Sequence, residues 1–135
     1  MAFIHGKDTL ITVDSNDLSA FTKSSDYSVS TDSHDVTTYG QSGHVYQGGL
    51  TDGSFSMEGV YDDGATSPRD IIEPIRIART AVTIVRQPEG AGSTLAQDSF
   101  SGLCTSYEES SPVDDMVTWS AEFSISGAID RTAQA

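Results

Sequence analysis

Near the carboxyl end, fourteen consecutive residues from Val117 to Asp130 alternate apolar and polar without a break. One face carries Val117, Trp119, Ala121, Phe123, Ile125, Gly127 and Ile129; the other carries Thr118, Ser120, Glu122, Ser124, Ser126, Ala128 and Asp130. Side chains alternate across a strand, so this pattern predicts one strand with an oily side and a wet side. At about 3.3 Å per residue it would run about 46 Å, whereas strands usually have about five or six residues. Such a strand needs a core on one face and water on the other.

The rest of the chain repeats this pattern in shorter pieces, with turn residues between them. Thr9 to Asp14 alternates and predicts a first strand, which Leu18 to Phe21 continues after the Asp14-Ser15-Asn16-Asp17 turn. Tyr27 and Val29 alternate with Ser28 and Ser30. From Ser54 to Tyr61 the pattern is long again: Phe55, Met57, Gly59 and Tyr61 face one way, Ser54, Ser56, Glu58 and Val60 the other. Ala81 to Arg86 reads as a strand and Gln87 to Ser93 as a turn or loop. Phe100, Leu103, Cys104 and Tyr107 mark a further strand, with a bulge expected at Gly102 where the alternation slips. Glu108 to Asp115 reads as an acidic loop.

Two segments depart from the strand pattern. Residues 31–53 contain five glycines and little to bury, which predicts a long loop, functional or disordered. Ser67-Pro68-Arg69-Asp70 carries the marks of a helix start: a capping serine, proline in the first turn and an acid three after the cap. Ile71, Ile72, Ile75 and Ala78 then form an apolar stripe, so a helix is expected over 67–79. Pro74 is expected to kink or restart it. The predicted fold is a single domain over 1–135, mainly β, a sandwich or barrel with one flanking helix and a long loop.

Composition excludes more than it selects. Seven basic and twenty acidic residues leave a net charge of −13, which repels phosphate backbones and anionic membranes. Four of the seven basic residues, Arg69, Arg76, Arg79 and Arg86, fall within eighteen positions. They read either as a solvated helix face or as a basic patch that meets the acidic surface of another copy. Cys104 is the only cysteine, so no internal disulfide forms; the expectation is a buried small apolar residue and a reducing site of synthesis. The first residues resemble no signal peptide and no apolar run of membrane length occurs, so the protein is expected to be soluble as made.

Catalytic and metal-binding patterns are also missing. His5, His34 and His44 lie in polar, glycine-bracketed surroundings. Asp32, His34, Asp35 and His44 lack the tight two-ligand spacing of a metal site, with a solvated loop as the alternative. Asp14 to Asp17 has neither the glycine nor the distal glutamate of a calcium loop. No Gly-x-Ser-x-Gly elbow occurs, and Gly90-Ala91-Gly92-Ser93 lacks the lysine of a phosphate loop. The acids Glu108, Glu109, Asp114 and Asp115 flank Ser110-Ser111-Pro112 in a solvated loop. No enzyme activity, metal or cofactor is expected.

Four stretches together resemble the major tail tube proteins of long-tailed, siphovirus-type bacteriophages. They are Asp35-Val36-Thr37-Thr38-Tyr39-Gly40; the step from Gly49-Leu50 through Ser54-Phe55 to Gly59-Val60-Tyr61-Asp62; the helix after it; and the closing strand that ends at Ser126-Gly127, with Arg131 soon after. The resemblance implies six copies closing into a ring whose pooled strands form one barrel, with rings stacked into the tube through which the genome leaves the capsid. It places the protein in the virion tail after synthesis in the host cytoplasm. Implied partners are copies of itself and other tail proteins such as a tape measure and a terminator; DNA passes without specific binding, and no membrane is involved. Six copies would carry about −78 per ring, and an acidic bore lets a duplex slide without sticking.

On this reading Ser54, Ser56, Glu58, Thr118, Ser120, Glu122, Ser124 and Ser126 are candidates to line the lumen; an ordinary solvated sheet face would show the same alternation. The 31–53 segment becomes an arm to a neighbouring subunit or ring, with Asp35, Val36, Tyr39, His44, Val45, Tyr46 and Leu50 as contact candidates. Arg69, Arg76 and Arg79 are candidates to pair with acids between subunits. Two other classes fit a small, acidic β protein: a capsid decoration or head-tail joining protein, and a carbohydrate-binding sandwich with Trp119 as an exposed platform. Trp119 lies on the apolar side of its strand, which favours core packing over the platform.

Overall fold

The computed structural model describes residues 4–62, 64 and 67–134. In chain order these form β1 (Leu10–Val13), β2 (Asn16–Asp17), β3 (Thr22–Asp35), β4 (Tyr46–Val60), the helix α1 (Pro68–Ala78), β5 (Val82–Gln87), β6 (Asp98–Ser110) and β7 (Thr118–Asp130). All seven strands belong to one antiparallel sheet in the order β2-β1-β5-β6-β7-β4-β3. The long alternation near the carboxyl end is therefore a strand from Thr118 with Trp119, Ala121 and Phe123 buried, but its regular pairing is interrupted between Ser126 and Asp130, where Gly127 takes a φ of 80°.

The sheet folds over on itself. β3 and β6 stand three places apart in strand order, which in a flat sheet is about 14 Å. Yet the rings of Tyr27 on β3 and Phe100 on β6 are 5.6 Å apart, and Phe100 is also 5.6 Å from Phe55 of β4. β6 makes this possible by serving two layers. It pairs with β7 along its length but with β5 only from Arg86↔Asp98 to Val82↔Gly102. The register shift between Cys104 and Ser106 follows two residues after the β5-paired half ends, where a bulge bends the strand. Ile11, Val13, Ile84 and Phe100 from one layer meet Phe55, Met57, Trp119 and Phe123 from the other. α1 adds Ile72 and Ile75 to the same core and packs against β6.

Several local expectations need correction. Residues 31–53 are mostly strand: β3 and β4 continue as a ribbon, paired from Ser30↔Asp52 to Asp35↔Tyr46, and only 36–45 is loop. Alternation records burial, and this ribbon buries nothing, so its pairing left no trace in the pattern. Leu18 to Phe21 is a buried leucine followed by a 3-10 turn at Ser19–Phe21, not a strand. The β6-β7 pairing is irregular at two places, opposite Ser99 to Ser101, where β7 carries the extra residues between Ser126 and Asp130, and between Cys104 and Ser106, where β6 carries Thr105, while Gly102 keeps phase with Phe100 and Cys104. Gly102 reads as a slip because it has no side chain: a Cβ there would lie 2.5 Å from Ile84 Cδ1. Glu108, Glu109 and Ser110 extend β6 and are not loop.

The helix keeps its expected span, with Ser67 and Arg79 as its caps. Ser67 has the extended backbone of an N-cap, but its side chain makes no capping hydrogen bond. Arg79 ends the helix in a left-handed conformation, φ 60°, with its amide donating to Ile75. Pro74 does not interrupt α1. Pro74 and Asp70, whose backbone bond is forfeited, are both exposed, so water can serve the carbonyl. Cys104 is a buried free cysteine, and burial pushes its thiol pKa up.

Candidate functional site: a polar sheet face and an exposed hairpin

The outer face of the β3-β4-β7-β6 layer gathers the hydroxyl-rich residues. Across β4 and β7, Ser54 stands opposite Ser124, Ser56 opposite Glu122, Glu58 opposite Ser120 and Val60 opposite Thr118. Ser126 joins the same face opposite Ser101 of β6. All eight alternating polar candidates thus share one face, set by a register that a one-residue slip would invert. Behind it the intervening residues Phe55, Met57, Trp119, Ala121 and Phe123 are buried.

The face is wider than the sequence pattern indicates. β3 adds Ser24, Asp26 and Ser28 opposite Glu58, Ser56 and Ser54. β6 adds Ser106 and Glu108 opposite Glu122 and Ser120. Residues from all four strands, Asp26 and Glu108 among them, line a common trough. The Tyr27-Val29 alternation would have reached Ser24 and Asp26 if followed back. Glu108 was out of reach, because the bulge at Thr105 reverses the phase of β6. The carboxylates of Asp26, Glu58, Glu108 and Glu122 share this surface, and among the described residues none of the four is in an ion pair.

Both borders of this layer are open. β3 is the last strand of the sheet. On the other side β6 loses its second neighbour after Gly102, so 103–110 pair only with β7. The far border of the whole sheet, β2, is two residues long and offers little to pair with.

The ribbon beyond Ser30 is an arm. Every residue from Ser28 to Asp52 is exposed, Tyr39 entirely (106%) and Leu50 at 82%. Its tip is ordered by its own bonds. Val36 donates to the Val45 carbonyl at 2.8 Å, and Thr37 Oγ1 accepts from the Val45 amide at 2.8 Å. Asp35 accepts from the Thr37 amide at 2.9 Å, lies 3.7 Å from His44, and has its pKa lowered by the hydrogen bonds to Thr37. Val36, Tyr39, Val45, Tyr46 and Leu50 are therefore displayed by a structured hairpin.

Of the three helix arginines, two have partners within the chain. Arg76 pairs with Glu73 at 2.6 Å and Arg69 with Glu109 at 3.6 Å. Arg79 caps the helix and has no ion pair among the described residues. Trp119 is 2% exposed and presents no platform for a sugar. Among the described residues no three His, Cys, Asp or Glu side chains come together to hold a metal, and no helix is long and apolar enough to cross a membrane.

No family model and no curated protein matches the chain in sequence. Solved structures do match it in shape. A chain from the virion of a native gene transfer agent particle superposes with a TM-score of 0.82 at 20% identity, over 97% of this chain and 100% of that one. A chain from the tail of the empty gene transfer agent particle, refined helically with C6 symmetry, gives 0.78 at 20% identity over 97% and 100%. The SPP1 tail tube gives 0.79 at 13% identity over 98% of this chain and 80% of that one. The seven-stranded sheet with its single helix is the fold of a phage tail tube protein.

Proposed function

We propose that this chain is the major subunit of a phage tail tube, six copies closing into a ring and rings stacking into an acidic conduit for DNA ejection. The observation that carries the reading is the four-stranded polar face, apolar behind and open at both borders. The strands of that layer run alternately, so the free edge of β3 in one copy is antiparallel to the free edge of β6 in the next. Joining them continues the polar face around a ring and removes two long exposed edges that would otherwise invite aggregation. Ser54, Ser56, Glu58, Thr118, Ser120, Glu122, Ser124 and Ser126 then face the bore, joined by Asp26 and Glu108.

The arm serves as the contact with a neighbouring subunit or ring. An exposed cluster of Val36, Tyr39, Val45, Tyr46 and Leu50 is costly for a lone domain and useful for one that polymerises. Of the three helix arginines, Arg79 is the one left to pair with an acid of another copy. The protein resides in the virion tail, with a tape measure inside and a terminator at the end as its further partners. Likeness in fold to gene transfer agent and SPP1 tail chains supports this reading over a capsid decoration or head-tail joining role.

Negative-stain imaging of the purified protein at rising concentration tests it. Six-fold rings and tubes with an open centre are expected. Monomers or trimers that bind capsids and never stack would support the joining or decoration role instead.

A further inference from the structure

Arg131, the arginine that follows Ser126-Gly127, takes no part in the polar face. Its Nε lies 3.4 Å from Asp98 Oδ1, and Arg86 Nη1 lies 3.1 Å from Oδ2 of the same carboxylate. Both guanidinium groups also sit over the ring of Tyr27, Arg86 at 5.2 Å and Arg131 at 5.7 Å. Arg131 Nη2 donates to the Tyr27 hydroxyl at 3.4 Å. Arg86 and Asp98 are cross-strand partners of β5 and β6 in one layer, whereas Tyr27 belongs to β3 in the other. The cluster therefore ties the two layers together at one point.

That point is the root of the arm. Tyr27 is the last side chain of β3 that is even half-buried; from Ser28 onward the strand is exposed. Past the root the ribbon pairs only with itself, and an isolated two-stranded ribbon is marginally stable and free to twist. β4 is held at this root by its pairing with β7 up to Ser54↔Ser124, whereas β3 is the edge strand and is held from its open side only through Tyr27, so the tilt of the ribbon depends on what holds that ring. A ring gripped on its π cloud by two cations resists sliding, and the shared carboxylate keeps both cations in place.

We infer that Arg131, Arg86 and Asp98 form a latch on Tyr27 that fixes the direction in which the arm leaves the domain. This rests on the reading of the arm as the contact between copies, because a pre-aimed arm loses less orientational freedom when it docks. Arg131 is a positioning residue: it acts on the contact through Tyr27 without touching the neighbouring copy.

Spin labels at Tyr39→Cys on the arm and Thr83→Cys on β5 report the arm's direction as a distance distribution. The doubly labelled parent should give a narrow distribution that broadens in Arg131→Gln and in Asp98→Asn. Tyr27→Phe keeps the ring and should keep the distribution narrow. In the unlabelled protein Arg131→Gln should raise the critical concentration for assembly about tenfold. A distribution left narrow by both Arg131→Gln and Asp98→Asn overturns the latch, whatever assembly does. A broadened distribution with unchanged assembly keeps the latch and overturns the arm as the contact between copies.

Discussion

At the residue scale, the buried strand glycines Gly59 and Gly102 mark where the core has no room for a side chain, and they differ in what they face. A Cβ on Gly59 would collide with the carbonyl of Phe21, which is backbone and cannot step aside. On Gly102 it would meet Cδ1 of Ile84, the end of a side chain that can rotate. Gly59→Ala is therefore expected to cost about 3 kcal/mol and Gly102→Ala about 1 kcal/mol, read as shifts of the urea midpoint. Neither role was legible in the sequence, because an alternation pattern places a glycine on a face without saying what comes against it. Tyr107 offers a second test. Its hydroxyl and the indole nitrogen of Trp119 are buried without hydrogen-bond partners, and the two rings stack at 6.4 Å. Burial first, then the nearby Glu109 carboxylate, raises the Tyr107 pKa. A raised folded pKa means that Tyr107 contributes stability below the unfolded tyrosine value, about 10, and loses it as pH rises beyond. Tyr107→Phe should leave stability at pH 7 within about 1 kcal/mol and make the protein less sensitive to alkali, as seen in melting curves between pH 8 and 11.

At the scale of elements, the proposed contact role of the arm would separate folding from assembly. Because 28–52 are exposed, deletion of 35–48 removes none of the buried core. The expected product is a folded monomer with a melting temperature within a few degrees of the parent that builds no tubes in negative stain; tubes of normal length from it would refute the arm's role. The second half of β4 from Ser54, most of β7, and α1 were legible in the sequence because each has one buried and one wet side, and burial is what periodicity records. The arm's strands were illegible for the opposite reason: Thr31, Ser33, Gly48 and Gln47 pair through backbone alone. β6 was half legible. Its bulge at Thr105 shifts the phase so that Leu103 and Glu108 fall on one face despite their odd spacing, which a strict period of two cannot express.

At the scale of the whole molecule, the acidic balance and the polar face belong together. Asp26, Glu58, Glu108 and Glu122 come from four different strands, and only the register assembles them. Glu58→Lys with Glu122→Lys should leave the fold intact, since both sites are exposed, and should turn a non-binding tube into one that retains double-stranded DNA at low salt and releases it as salt rises. Filter retention of labelled duplex against salt measures this. The open borders of the layer have a further consequence. In the proposed ring every protomer would supply an even number of wall strands, so up and down directions would stay in step after any number of copies, and closure after five or seven would satisfy hydrogen bonding as well as closure after six. The backbone therefore has no means of counting. In such a ring stoichiometry would come from the angle each wedge subtends, and the kink at Thr105 is where a single insertion would change that angle and yield a conduit of another calibre.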